Sequence, residues 1–195
     1  MSVRKVSQVV EGTPAVDGAG VPLTRVLDGT TIEAFDPFLM LDSFDSTNPD
    51  DYIAGFPTHP HRGIETVTYL EQGWMDHEDS LGNKGSILPG SAQWMTAGSG
   101  IMHSEFPRPA GRMLGLQFWL NLPAAEKMDE PRYFDITAES VPVVAVDGGQ
   151  IRVIAGRYGD VQGAKPYHIQ ATFYDIRLDA GAALSFPVAE MDNAF

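Results

Sequence analysis

The chain holds five histidines and no cysteine, so any transition-metal chemistry here must rest on imidazole and carboxylate. Three of the histidines fall in two tight groups that also carry carboxylates. The first is His59-Pro60-His61-Arg62-Gly63-Ile64-Glu65, and the second is His103-Ser104-Glu105. Alternate side chains of a strand share a face. On one strand His59, His61 and Glu65 have the same parity and present two imidazoles and a carboxylate together. His103 and Glu105 do the same on another. If both faces point into a barrel, the groups converge. Two or three imidazoles with a carboxylate bind a divalent transition metal, and such a donor set accepts Fe(II), Ni, Cu, Mn or Zn. Four protein ligands on an octahedral ion leave two positions open, for a bidentate substrate or for substrate and O₂.

Such groups need rigid supports, and the sequence supplies strands. Gly (20) and Pro (14) are scattered along the chain as punctuation. Between them lie short apolar runs: Phe38–Leu41, Thr66–Leu70, Gly85–Leu88, Met113–Leu122, Val141–Val146, Ile151–Ala155, Ala171–Leu178 and Ala182–Pro187. Runs of this length bounded by turn residues read as strands. Helical periodicity is confined to Ala124–Met128, after Pro123. The spacing predicts an all-β sandwich or barrel. A polar, acidic stretch from Pro123 to Ser140 divides two units, with the boundary near residue 135. The second unit ends on a turn-like Glu190-Met191-Asp192-Asn193 and has fewer strands than a closed barrel needs. Ala97-Gly98-Ser99-Gly100 reads as a tight turn that feeds His103 back into the fold. In and just before it, Gln93, Thr96 and Ser99 offer hydrogen bonds to metal ligands, and Trp94 and Met95 suit core packing.

Composition narrows the function. The 13 basic and 26 acidic residues give a net charge of −13. That charge repels phosphate, which argues against nucleic acid or an anionic membrane as partner. The absence of cysteine excludes disulfides, thiolate zinc sites and a cysteine nucleophile. No apolar run approaches the roughly 18–20 residues of a membrane span, and the N-terminus lacks the apolar core of a signal peptide. A soluble, cytoplasmic protein is expected. Among the remaining polar residues, His77 reads as a solvated strand end near a turn, with a lip of the pocket or a fifth ligand as the alternative, and His168 as a loop residue. Arg62 points away from His59 and His61 toward an acidic neighbour. Asp42, Asp45, Asp50 and Asp51 read as a solvated face before the first histidine group.

Several longer motifs carry a family resemblance. The stretch Phe56-Pro57-Thr58-His59-Pro60-His61-Arg62-Gly63-Ile64-Glu65-Thr66-Val67-Thr68-Tyr69 resembles the signature of the pirin family, a branch of the cupin superfamily. So do His77-Glu78-Asp79-Ser80-Leu81-Gly82-Asn83, the run from Gln93 to Glu105, and Asp36-Pro37-Phe38-Leu39-Met40-Leu41-Asp42. The matches span about residues 22–122, in order. The resemblance implies an all-β fold of two cupin-type β-barrels (double-stranded β-helices) in tandem, the second incomplete in this chain. Residues 1–135 would form the N-terminal barrel with one metal, as a rule iron. Residues 136–195 would form a partial C-terminal barrel with none, since His168 is its one histidine. The pirin ligands fall on His59, His61, His103 and Glu105, with Glu105 also the catalytic base. The general cupin pattern points instead to Glu65 as the carboxylate. The implied activity is a quercetin 2,3-dioxygenase, an oxidoreductase that opens a flavonol ring with O₂. The alternatives are a non-catalytic iron-binding protein that modulates a protein partner, or another cupin activity such as a sugar isomerase.

Overall fold

The computed structural model describes residues 3–188. In chain order the strands are β1 (Thr13–Asp17), β2 (Val21–Leu27), β3 (Phe38–Ser46), β4 (Phe56–His61), β5 (Ile64–Gln72), β6 (Met75–Asp79), β7 (Lys84–Ile87) and β8 (Ser91–Thr96). They continue with β9 (Ile101–Pro107), β10 (Met113–Asn121), β11 (Arg132–Ile136), β12 (Val143–Val146), β13 (Gly149–Ala155), β14 (Arg157–Tyr158), β15 (Val161–Gln162) and β16 (Phe173–Leu178). The only described helical pieces are one turn at Ile32–Phe35 and a 3₁₀ turn at Pro49–Asp51. None is long and apolar enough to cross a membrane. The all-β expectation holds.

Two sheets face each other around the site. One has seven strands in the order β1-β2-β3-β10-β5-β8-β11, and the other has four in the order β4-β9-β6-β7. Strands β5 and β8 of the seven-stranded sheet are buried on both faces, which period-2 patterning makes possible. One row across it reads Leu41, Phe118, Val67, Trp94 and Phe134. This apolar row packs against Ile154, Ala155 and Phe173 of β13 and β16. The next row, on the opposite face, is polar. Arg25 lies opposite Asp42, Asp42 opposite Gln117, Gln117 opposite Thr68, Thr68 opposite Gln93, and Gln93 opposite Asp135. This row looks across to β9. Beyond it the interior is apolar again, with Val21, Leu23, Phe44, Leu70, Met75, Ile87 and Met113 in one cluster. Met95, Ala97 and Ile101 form another.

Two local expectations change. Ala124–Met128 forms turns rather than a helix: Glu126 N–H donates to Pro123 O and Asp129 N–H to Glu126 O, too few bonds to nucleate one. Ala182–Pro187 carries no strand, and among described strands β16 pairs with β13 alone. The turn expected at Glu190–Asn193 lies outside the described residues.

Gly98 lies in the turn from β8 to β9. Its φ is +51°, and a Cβ there would stand 2.1 Å from Asp129 O. Its carbonyl accepts the Gly63 N–H at 2.8 Å, and the neighbouring Ser99 N–H donates to Asp129 O. Both histidine groups therefore hang on this turn. Gly98→Ala is expected to destabilise the fold by about 2 kcal/mol or more, from backbone strain and overlap together. The shift of the urea midpoint relative to wild type checks it.

Candidate metal centre

Strand β9 is central in the four-stranded sheet, between β4 and β6. Its odd-numbered residues, Ile101, His103, Glu105 and Pro107, are buried, and Met102 and Phe106 are exposed. Parity thus aims His103 and Glu105 at one interior, as the spacing predicts. On β4, His59 lies opposite His103, and His61 follows on the same face. The three imidazoles converge. His59 Nε2 is 3.0 Å from His61 Nε2 and 3.0 Å from His103 Nε2. Among the described residues, these three form the group whose ligand atoms lie within 4.8 Å of one another.

The ring orientations suit a cation. His59 Nδ1 donates to Pro57 O at 2.8 Å, which fixes the tautomer and leaves its Nε2 lone pair facing the cluster. Burial, reinforced by the neighbouring His103 and His59, pushes the His61 pKa down to about 3. Burial likewise lowers that of His103, against the opposing pull of Glu105. Neutral imidazoles are the form that binds metal. The set fits a divalent transition metal by the chemistry of its donors.

Glu105 is 1% exposed, and its Oε2 is 3.9 Å from His103 Nε2. The seven-stranded sheet supplies its hydrogen bonds. Thr68 Oγ1 donates to Oε1 at 3.2 Å, and Gln117 Nε2 approaches Oε1 at 3.3 Å and Oε2 at 3.2 Å. Gln117 Nε2 also donates to Thr68 Oγ1 at 3.1 Å. Sequence reading missed both residues. The available signal was a single Gln inside the apolar run Met113–Leu122. A cavity of about 410 Å³ opens beside His59 and His61, with Leu23, Phe44, Phe56 and Trp119 in its walls. The Trp119 ring stands edge-on to that of His61, 5.1 Å between centroids. Asp17, Asp42 and Gln117 add polar atoms to the cavity.

Comparison with known proteins follows this geometry. The family model described as Pirin matches residues 20–120. A pirin-like protein of Caulobacter vibrioides is 48% identical over 201 residues, covering all of this chain and 72% of that protein. The chain belongs to the pirin family. The crystal structure of a quercetin 2,3-dioxygenase from Acinetobacter baumannii superposes with a TM-score of 0.80 at 36% identity, over 89% of this chain and 64% of that one. A bacterial pirin from Escherichia coli, solved in complex with nickel(II), gives a TM-score of 0.50 at 29% identity, over 64% of this chain and 53% of that one. The chain spans about two thirds of the length of the curated pirin relatives it matches.

Within this pirin fold, other sequence readings fare differently. Glu65 does not share a strand with His59 and His61. The alternation breaks at Gly63, whose φ is +70°, and the chain passes from β4 in one sheet to β5 in the other. Glu65 therefore shares the face of Val67 and Tyr69, while Thr68 is on the face that reaches Glu105. It is fully buried there, with Oε1 accepting from Thr96 Oγ1 at 2.7 Å. Thr96 thus serves Glu65 rather than the histidines, Ser99 is exposed, and Trp94 and Met95 are core. His77 is no solvated strand end. It is 5% exposed, lies opposite Glu105, and its Nε2 is 3.6 Å from Asp135 Oδ1, too far for a hydrogen bond. Asp42 is not on a solvated face either: it is 3% exposed and gripped by Arg25. Asp45 is exposed and paired with Arg112. Arg62 rests on Met128 Sδ rather than on an acid. His168 sits in a loop, bonded to Glu126 at 3.0 Å.

The depressed His61 and His103 values have a consequence for stability. Below about pH 6.5 an unfolded chain protonates its histidines, while in the fold His61, at about 3, stays neutral and His103 takes up its proton at lower pH than an unfolded histidine. The unfolded state then binds more protons, so stability falls with acidification. This contribution is complete above pH 6.5 and is lost progressively toward pH 3. Urea titrations of metal-free protein between pH 7.5 and 5 are expected to show that decline, and His61→Asn to flatten it.

Proposed function

We propose that this chain is a metal-dependent pirin-type dioxygenase that opens flavonols such as quercetin with O₂. In this reading His59, His61, His103 and Glu105 hold one divalent ion, Fe(II) by preference. The observation that carries it is the convergence of three Nε2 atoms, two of them on residues lining a largely apolar cavity, with a buried carboxylate beside them. The quercetin 2,3-dioxygenase likeness supports the substrate class. We place the metal in residues 1–135 and none in residues 136–195.

A bound divalent ion supplies Lewis acidity, which makes a coordinated hydroxyl more acidic. The protein's own residues do the rest. Leu23, Phe44, Phe56 and Trp119 exclude water from a flat aromatic ligand. Glu105 takes the proton of the ligand's 3-hydroxyl. Thr68 and Gln117 hold that carboxylate by both oxygens and keep it aimed at the histidines.

Met102 and Phe106 favour a second reading, in which the iron-bearing protein modulates a protein partner. These residues alternate with His103 and Glu105 on β9 and are 46% and 43% exposed. One strand thus joins the metal ligands to an apolar outer surface.

Metal analysis of protein purified without added metal is expected to give one ion per chain, lost in Glu105→Ala and kept in Glu65→Ala. The reverse result overturns the ligand assignment. Iron, nickel, copper and manganese forms would then be assayed for O₂ uptake with quercetin. Glu105→Gln is expected to lower turnover by ~10²–10⁴-fold, the usual contribution of a general base. Binding of quercetin by all four forms with turnover by none removes the enzyme reading and leaves the regulatory one.

A further inference from the structure

The polar row does not stop at the residues that hold Glu105. One strand beyond Gln117 lies Asp42, opposite it on β3, and Asp42 lines the same cavity as His59 and His61. A carboxylate 3% exposed in a largely apolar wall needs a partner. Arg25 supplies it in a fork: Nε donates to Oδ1 at 2.9 Å and an Nη to Oδ2 at 2.7 Å. The same guanidinium reaches Asp17 Oδ2 at 2.9 Å, and Asp17 also lines the cavity. Two carboxylates therefore share one cation, and this wall carries net negative charge.

Arg25 fixes Asp42 without saturating it. An ionised carboxylate accepts at about four lone-pair positions, and Arg25 occupies one on each oxygen. The rest remain available, on a group whose orientation the bidentate pair has already set. A ligand that fills the cavity from the imidazoles to this wall meets an acceptor. A hydroxyl on the ligand can donate to it, an ether or hydrogen at that position cannot, and a carboxylate or phosphate is repelled.

We propose that Asp42, held by Arg25, is the specificity-determining acceptor of the cavity and selects neutral aromatic ligands with hydroxyl donors that reach its β3 wall. The inference rests on the flavonol reading above and sharpens it. Of the hydroxylated aromatics that reading admits, it picks those with a hydroxylated pendant phenyl ring.

The test is a binding series on the full chain, read by quenching of tryptophan emission, with Trp119 in the cavity wall as reporter. The probes are quercetin, its 3′,4′-di-O-methyl ether, and galangin, which has the same fused rings and no hydroxyl on the pendant phenyl. Wild type is expected to bind quercetin roughly tenfold or more tighter than either, the scale of a hydrogen bond to a charged group. Asp42→Asn is expected to bring the three affinities to within about threefold, with galangin affinity unchanged. The wild-type series decides the matter even if that variant fails to fold. Equal binding of the three by wild type overturns the inference alone. Binding of none overturns it together with the flavonol reading.

Discussion

A carboxylate sealed between two facing sheets is the constraint on which the rest of this structure depends. Glu105 is 1% exposed, and a buried charge without hydrogen bonds costs far more than a domain can absorb. The sheet that faces it must therefore carry donors at the matching height. Thr68 and Gln117 stand there, on adjacent strands and directly opposite each other. Their hydrogen bonds use both oxygens and leave the carboxylate 3.9 Å from His103 Nε2. Without them, Glu105 would be a buried group with no hydrogen-bond donor beside the three imidazoles.

The seven-stranded sheet solves two problems with one alternation. Each of its central strands offers a polar residue to the interior and, one position along, an apolar residue to the far side. Gln117 alternates with Phe118, Thr68 with Val67, Gln93 with Trp94 and Asp42 with Leu41. The polar members form one continuous row, so each has a polar neighbour across the strand gap, where side chains interact most strongly. The apolar members form the core against β13 and β16. A one-residue slip would exchange the rows, putting Phe118 against Glu105 and Gln117 against Phe173. Register here is fixed by chemistry on both faces at once.

Much of the site was legible because the side-chain period of a strand is 2. His103 and Glu105 point the same way for that reason alone, and so do His59 and His61. Parity does not carry across Arg62-Gly63 to Glu65, because the strand is not continuous there. A glycine at positive φ ends that continuity, and the two sides belong to different sheets. Asp42 and His77 were misread for another reason. Local sequence shows an acid near other acids and a histidine near a turn, but not that Arg25 lies across the strand from Asp42 or that Tyr133 and Asp135 of β11 pack against His77. Burial of a polar side chain is decided by its cross-strand partners, and those are long-range. The strand content itself needed no such information, since apolar runs bounded by glycine and proline are local.

The same register links the metal centre to the second unit. Phe118 and Val67 pack with Phe173 and Ile154 on one side of β10 and β5, while Gln117 and Thr68, one residue away on the same strands, hold Glu105 on the other. Tyr69, on the outer face of β5, donates its hydroxyl to Asp175 of β16 at 2.7 Å. Close-packed strands do not deform independently on their two faces. The position of β16 against the sheet therefore bears on the placement of Gln117 and Thr68, and through them on Glu105. Strands β13 and β16 can in this way help to set the geometry of the candidate site, by bracing the outer face of the sheet that holds the carboxylate.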